Sequence, residues 1–344
     1  MPAPVLILAS RDSCGSLLGQ LLGGHPDFYA APHLNTLSFP EVWQFRVYAQ
    51  IPRDSHIHGL WRFLGQRTAG EQTMMSVQAA RRWIGLREEI GAPAFHAALC
   101  DLVAPRRLVD YSPLHAQNAD VVARVLAAVP EAKIIHLVKS PGAQARASCR
   151  PVWQTLEASL GWWADRAENQ PVMDGYELGE QYIDWSVTPA VFDPQFAWHR
   201  TQRALLDAGR AAAPGRWLTL RAEDFLADPS AGLARVLAHL DADAAPDLIA
   251  AMLAQGATPW TATGPFEAPY GIDYEMIGQP VHQALARARA ATVPSAPIDP
   301  TAPLPWRGDG DRFMPEVVAL AADLGYGVVQ RDMAETPHFA AGTP

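Results

Sequence analysis

Apolar residues along this chain gather into short runs separated by polar turns. Four runs of β-branched character, Val5 to Ala9, Arg107 to Asp110, Ile134 to Val138 and Trp217 to Leu220, are each followed by turn residues or lead into a helical pattern. That is the signature of short buried strands. Between them apolar positions recur at helical spacing, and the spacing predicts helices over Leu17 to Gly24, Ala119 to Val129, Ala143 to Arg150 and Ala231 to Leu240. Strands alternating with helices predict an α/β fold with a central parallel sheet flanked by helices on both faces.

Two stretches break the alternation. Glu168 to Pro194 mixes acidic, aromatic and proline residues without a sustained period and reads as an irregular insertion beside a site, around 168–194. Val293 to Pro305 is similar in kind, being rich in proline and alanine. Helical spacing returns from Met314 to Leu324, and the residues after Asp332 read as a loose tail. With no internal repeat and no composition break, the chain reads as one domain over 1–332 followed by the tail 333–344.

Composition narrows the classes. The chain has 344 residues, 49% of them apolar and 18% charged, enough to bury a sizeable core. The formal charge of −9 argues against nucleic acid as a general partner, because such proteins need a basic face to displace counterions; a local basic pocket remains compatible. Cys14, Cys100 and Cys149 lie far apart and form none of the close pairs that mark zinc or redox sites. The start, MPAPVLILASRDSCGS, lacks a basic lead and carries an apolar run of only one strand's length. It therefore reads as neither a secretory signal nor a membrane span, and a cytoplasmic protein is expected. Oligomeric state leaves no mark in the sequence.

The segment LILASRDSCGSLLGQLLGGHP, Leu6 to Pro26, carries the first chemistry. A strand that ends in small polar residues and enters a helix aims backbone N–H groups and the positive helix end at one point, a geometry that binds phosphate or sulfate. A Walker-type loop needs Gly, four residues, then Gly-Lys-Ser/Thr, whereas this turn offers Cys14-Gly15-Ser16 with no lysine. An ordinary NTPase is thereby disfavoured. Taken alone, the turn is equally a plain strand-to-helix connection with N-cap serines.

The turn does not stand alone. It resembles the 5′-phosphosulfate loop of sulfotransferases, whose usual form is a strand, Pro-Arg-Ser-Gly-Ser/Thr-Thr-Leu-Leu and, further on, His-Pro. AKIIHLVKSPGAQARAS, Ala132 to Ser148, resembles the same family's 3′-phosphate segment, and WLTLRAEDFLADPSAGLARVLAHL resembles its Val-Arg-Tyr-Glu-Asp-Leu strand and helix. GHPDFYAAPHLNTLSF, RLVDYSPLH and GIDYEMIGQP resemble the sulfotransferases associated with polyketide and peptide natural products. The resemblance runs through nearly the whole chain in order. It implies a P-loop NTPase-like sulfotransferase fold and 3′-phosphoadenylyl sulfate, PAPS, as donor, with no metal. The acceptor it implies is a hydroxyl of a small molecule or of a carrier-tethered acyl chain.

The resemblance also implies roles. Arg11 and the turn Ser13, Cys14, Gly15 and Ser16 match the 5′-phosphate loop; Lys139 and Ser148 match the 3′-phosphate residues. Two alignments of the loop remain open: either Asp12 and Cys14 replace the family's Arg and Gly, or one residue is inserted after Arg11. Lys139 stands for an arginine and gives up its planar bidentate grip. Ser148 lies one residue past the usual serine, about 100° around the helix, and Arg146 and Arg150 on the same helix are candidates to compensate. His33 occupies the position of the relatives' glutamate base; an imidazole titrates near neutrality and can accept a proton from the attacking hydroxyl. His115, after the segment in which Tyr111 replaces a lysine, and His199, on a later helix, are further candidates for a direct role. Arg221 and Glu223 read as an architectural pair, and the aromatic cluster Trp153, Trp162, Trp163, Tyr176, Tyr182 and Trp185 as core or as a wall for an apolar acceptor. Two alternatives stay in view: an enzyme of this fold with altered chemistry and weakened donor binding, and a non-catalytic scaffold.

Overall fold

The computed structural model describes residues 2–48, 57–149, 183–184, 186–187, 191–292 and 296–329. Its centre is a five-stranded sheet in the order β2-β3-β1-β4-β7, every neighbouring pair parallel. The strands are β1 (Val5–Leu8), β2 (Phe28–Ala30), β3 (Arg107–Tyr111), β4 (Lys133–Val138) and β7 (Trp217–Arg221). Four of them coincide with the predicted runs. The fifth, β2, is three residues long and carries no alternation that the sequence could display; it is held by pairing with β3 through Phe28 opposite Arg107 and Ala30 opposite Val109.

The parallel sheet is covered on both faces, as side-chain alternation on β1 shows. Val5 and Ile7 pack with α1 (Gly15–Leu22), α10 (Pro229–His239) and α12 (Val281–Ala291) through Leu17, Leu21, Leu233, Leu237 and Leu285. Leu6 and Leu8 point the other way, against α6 (Ala119–Ala128) and α8 (Gln195–Ala211), where they meet Val122, Val125 and Leu205. All four β1 side chains are fully buried, each contributing about 1.5–3 kcal/mol of apolar transfer. Four described α-helices, α2 (Val42–Tyr48), α3 (His58–Ala69), α4 (Met74–Gly85) and α5 (Ala92–Asp101), intervene between β2 and β3.

The remaining elements matter through what they hold. Arg62 on α3 is fully buried and donates to the carbonyls of Pro259, Ala262 and Tyr270 at 2.7–2.8 Å, and to Gln72 Oε1. It thereby clamps the 259–270 loop to α3, and burial lowers its pKa to about 10. Within the predicted insertion, β5 (Ile183–Asp184) and β6 (Val191–Phe192) form a small antiparallel pair. Arg307 binds Asp184 and Asp193 at 2.8 Å and Asp309 at 2.6 Å, fastening the 304–311 stretch to that pair. The rest of the insertion to Tyr182, the aromatic residues Trp153, Trp162, Trp163, Tyr176, Tyr182 and Trp185, Arg150, and the tail 333–344 lie outside the described residues. No described helix is long and apolar enough to cross a membrane.

Candidate active site

The C-terminal ends of parallel strands open one crevice, the usual place for a ligand in such sheets. Here it receives the loop after β1, the segment after β2, the end of β3 and the start of α7 (Pro141–Ser148), which follows β4. The β1 loop is fixed from three sides. Gln144 on α7 accepts the Ser13 hydroxyl at 2.7 Å and donates to the Arg11 carbonyl. Lys139 Nζ donates to the Asp12 carbonyl at 3.0 Å, and the Tyr111 hydroxyl donates to the Ser10 carbonyl at 3.3 Å. Asp12 and Cys14 both adopt the left-handed region, with φ of 62° and 66°, a conformation that costs a residue with a Cβ.

Gly15 has a specific reason to be glycine. A Cβ at that position would overlap the ring of Tyr111, so the aromatic side chain packs directly onto the helix start. Tyr111 also meets His33 edge to face, with centroids 5.2 Å apart and planes at 80°. Burial raises its phenol pKa well above the ordinary value, and Asp273 and Asp12 add to that rise. Tyr111 is thus a neutral wall between the loop and His33.

His33 sits at the centre. Its Nε2 lies 3.0 Å from Ser16 Oγ and 3.5 Å from Asp273 Oδ1. Asp273 closes the arrangement twice more: its Oδ2 accepts the Ser16 N–H at 3.3 Å and its own N–H donates to Ser16 Oγ at 3.1 Å. Cys14, the N-cap of α1, supplies no side-chain cap; the carboxylate of Asp273 takes that place. Burial alone would raise the Asp273 pKa, but the bonds from His33 and Ser16 hold it below the ordinary carboxylate range. The backbone beneath is fixed as well. The His33 N–H donates to the Gly271 carbonyl at 2.7 Å, and a Cβ on Gly59 would overlap the backbone of His33. The next two N–H groups, of Leu34 and Asn35, both donate to Ser112 Oγ, which donates to the buried Asp110 at 2.6 Å.

A cleft of about 470 Å³ opens beside this cluster, between the β1 loop, α7, α9 (Ala222–Ala227) and α12. Lys139, Arg146 and Arg287 bring three positive charges to it; Asp12, Glu223, Asp273 and Glu275 bring carboxylates. Glu223 is committed to the scaffold, accepting the Ser140 N–H at 2.8 Å and the Tyr326 hydroxyl at 3.0 Å. Arg221 forks onto Asp224 at 2.7 and 2.9 Å, so the two residues are architectural through separate partners.

The predicted site residues divide accordingly. Cys14 and Lys139 line the cleft, Ser13 and Ser16 hold the loop beside it, and His33 joins Ser16. Burial pushes the Cys14 thiol up to about 11, so it stays protonated. The cleft is lined by Asp12 and Cys14 rather than by Arg11, and Cys14 is in the left-handed region. Ser148 spends its hydroxyl on Asp12 Oδ2 at 3.4 Å, and its neighbours Arg146 and Ala147 face the cleft instead. His115 is away from the cleft, fully buried, with Nε2 accepting the Leu37 N–H at 3.3 Å and Nδ1 3.9 Å from Asp110. Burial drives its pKa down to about 4, keeping it neutral. His199 lies in a different groove, between α6 and α8, beside Arg200 and Arg203. Sequence reasoning missed Asp273, Gln144 and Arg287. Asp273 lies inside GIDYEMIGQP, but nothing local marks one carboxylate of that segment as the partner of a histidine 240 residues away.

A model of the sulfotransferase family matches residues 4–246, well over half of the chain. The chain belongs to the sulfotransferase family. Among solved structures it is similar to the sulfotransferase domain from the curacin biosynthetic pathway, at 19% identity and a TM-score of 0.64, over 96% of this chain and 99% of that one. It is similar also to the sulfotransferase domain of the Synechococcus PCC 7002 olefin synthase, at 20% identity and a TM-score of 0.61, over 95% and 96% of the two chains. No curated protein matches. These likenesses establish the P-loop-like sulfotransferase fold. In this member of the family the start of α1 is capped internally by Asp273, and the Tyr111 ring packs against Gly15.

Proposed function

We propose that this chain transfers a sulfuryl group from PAPS to a hydroxyl of a small-molecule or carrier-bound natural-product intermediate, in the cytoplasm. The observation that carries the reading is His33 Nε2, 3.0 Å from Ser16 Oγ at the start of α1, beside a cleft with three cations. Sulfuryl transfer asks little covalent work of a protein; it asks for in-line positioning and for charge on the leaving phosphate to be balanced. The amides at the start of α1 and Lys139 would meet the 5′ side of the donor, and Arg146 and Arg287 the more distant phosphate. His33 would take the proton of the attacking hydroxyl, with the Tyr111 ring packed edge to face against its imidazole. The similarity to two biosynthetic sulfotransferase domains supports the acceptor class.

Calorimetry with 3′-phosphoadenosine 5′-phosphate, the desulfated donor, tests this. Micromolar binding is expected, and no binding at millimolar ligand sinks the PAPS reading. His33→Ala is expected to abolish sulfation of a hydroxyl acceptor, followed by mass spectrometry, while changing the affinity for the desulfated donor only a few-fold. A second reading, altered chemistry with weakened donor binding, is favoured by one observation: Asp12 and Asp273 place two carboxylates where a phosphate is expected.

A further inference from the structure

Resting on the PAPS reading, we propose that Asp273 is a displaceable internal cap. It occupies the anion position at the start of α1 until the donor arrives, and its departure releases His33. The Oδ2 atom accepts the Ser16 N–H at 3.3 Å, and Oδ1 lies 3.5 Å from His33 Nε2. A donor phosphate seeking the helix end meets a negative charge already there, and the two anions exclude one another. The backbone need not move. Arg62 clamps the 259–270 loop, Gly271 accepts the His33 N–H, and the Asp273 N–H holds Ser16 Oγ. Rotation of the Asp273 side chain alone therefore frees the Ser16 N–H and breaks the carboxylate contact to His33. The two consequences are coupled. The rotation that opens the Ser16 N–H also takes the carboxylate away from the imidazole ring. With the cap turned away, the ring is free to accept the acceptor's proton at the moment the donor is in place.

Such a cap raises the apparent dissociation constant by the reciprocal of the uncapped fraction, so a cap closed in about nine of ten molecules weakens binding about tenfold. The test is calorimetry with 3′-phosphoadenosine 5′-phosphate on the wild type, Asp273→Ala and, as a control for loss of charge within the same cleft, Asp12→Asn. Asp273→Ala is expected to bind at least about tenfold tighter than the wild type, and clearly tighter than Asp12→Asn. Wild-type binding with no gain in Asp273→Ala, or with a gain matched by Asp12→Asn, overturns the cap and leaves the donor reading standing. Absence of binding by all three at millimolar ligand overturns both. Should Asp273→Ala fail to fold, the carboxyl ¹³C resonance of Asp273 in the wild type decides instead. It is expected to move with ligand on the same saturation curve as the Ser16 amide, and a carboxyl signal that stays in place at saturation overturns the proposal.

Discussion

Single side chains set the geometry of the site through contacts that leave no slack. Gly15 and Tyr111 are the clearest pair, because the ring occupies the volume a Cβ would need. Gly15→Ala is expected to destabilise the protein by about 1–3 kcal/mol through overpacking. In a Tyr111→Leu background the same change should cost markedly less, since the clashing ring is gone. Urea unfolding of the four proteins measures this coupling, and equal costs in the two backgrounds would contradict it. At this scale His33 was legible in the sequence as a candidate, through the resemblance of the segment that runs on from Ala31-Pro32. Its partners were not. Asp273 and Tyr111 reach His33 from 240 and 78 positions away in the chain, and a resemblance by segment does not say which residue of a segment points inward. His115 and His199 show the converse. Both looked chemical as letters, yet one lies in the core against Asp110 and the other in a groove on another part of the surface.

Elements act by presenting their ends. The crevice is built where β1, β3 and β4 stop, and α7 reaches back across it so that Gln144 ties down both Arg11 and Ser13. Gln144→Leu leaves the Arg11 carbonyl and the Ser13 hydroxyl without that partner, at a cost of about 1–3 kcal/mol for buried polar groups. The loss falls on a loop rather than the core. Affinity for 3′-phosphoadenosine 5′-phosphate is therefore expected to drop several-fold while the thermal midpoint moves by only a few degrees; unchanged calorimetric affinity would show that the tie is idle. Element existence was largely readable. β1 is a run of consecutive apolar residues because a parallel strand between two helical layers is buried on both faces, and β4 nearly so, whereas β7 at the sheet edge buries only Leu220. β2 escaped because its three residues owe their extended form to β3, a partner far along the chain.

For the molecule as a whole, buried histidines tie stability to pH. His136, on β4 in the sheet interior, is fully buried with Nε2 2.7 Å from Gln202 Oε1, and burial lowers its pKa to about 4. His115 is lowered similarly. A histidine whose folded pKa lies below its unfolded value binds protons more readily when unfolded. The stability linked to it is full above about pH 6.5 and is lost as pH falls towards about 4, by about 3 kcal/mol for each such group over the whole span. His96 works in the opposite sense. Burial disfavours its charge, but Asp110 at 3.4 Å and Cys100 push its pKa up to about 9, so its contribution is complete below about 6.5 and is lost as pH rises through 9. Urea unfolding should find greatest stability near neutral pH with a fall on either side. His136→Gln should lose less than the wild type between pH 7 and pH 5, and an identical acid slope would assign the loss elsewhere. The sequence by itself determined the class of this protein: the α/β alternation, the strand-to-helix turn after β1 and the family follow from local runs and short segments, whose physics acts between near neighbours. Only the tertiary structure decided which side chains meet the turn. That choice depends on the parallel sheet bringing strand ends together and on Arg62 and Gly271 delivering Asp273 to Ser16. Contacts closed across 257 positions of chain leave no periodicity behind them.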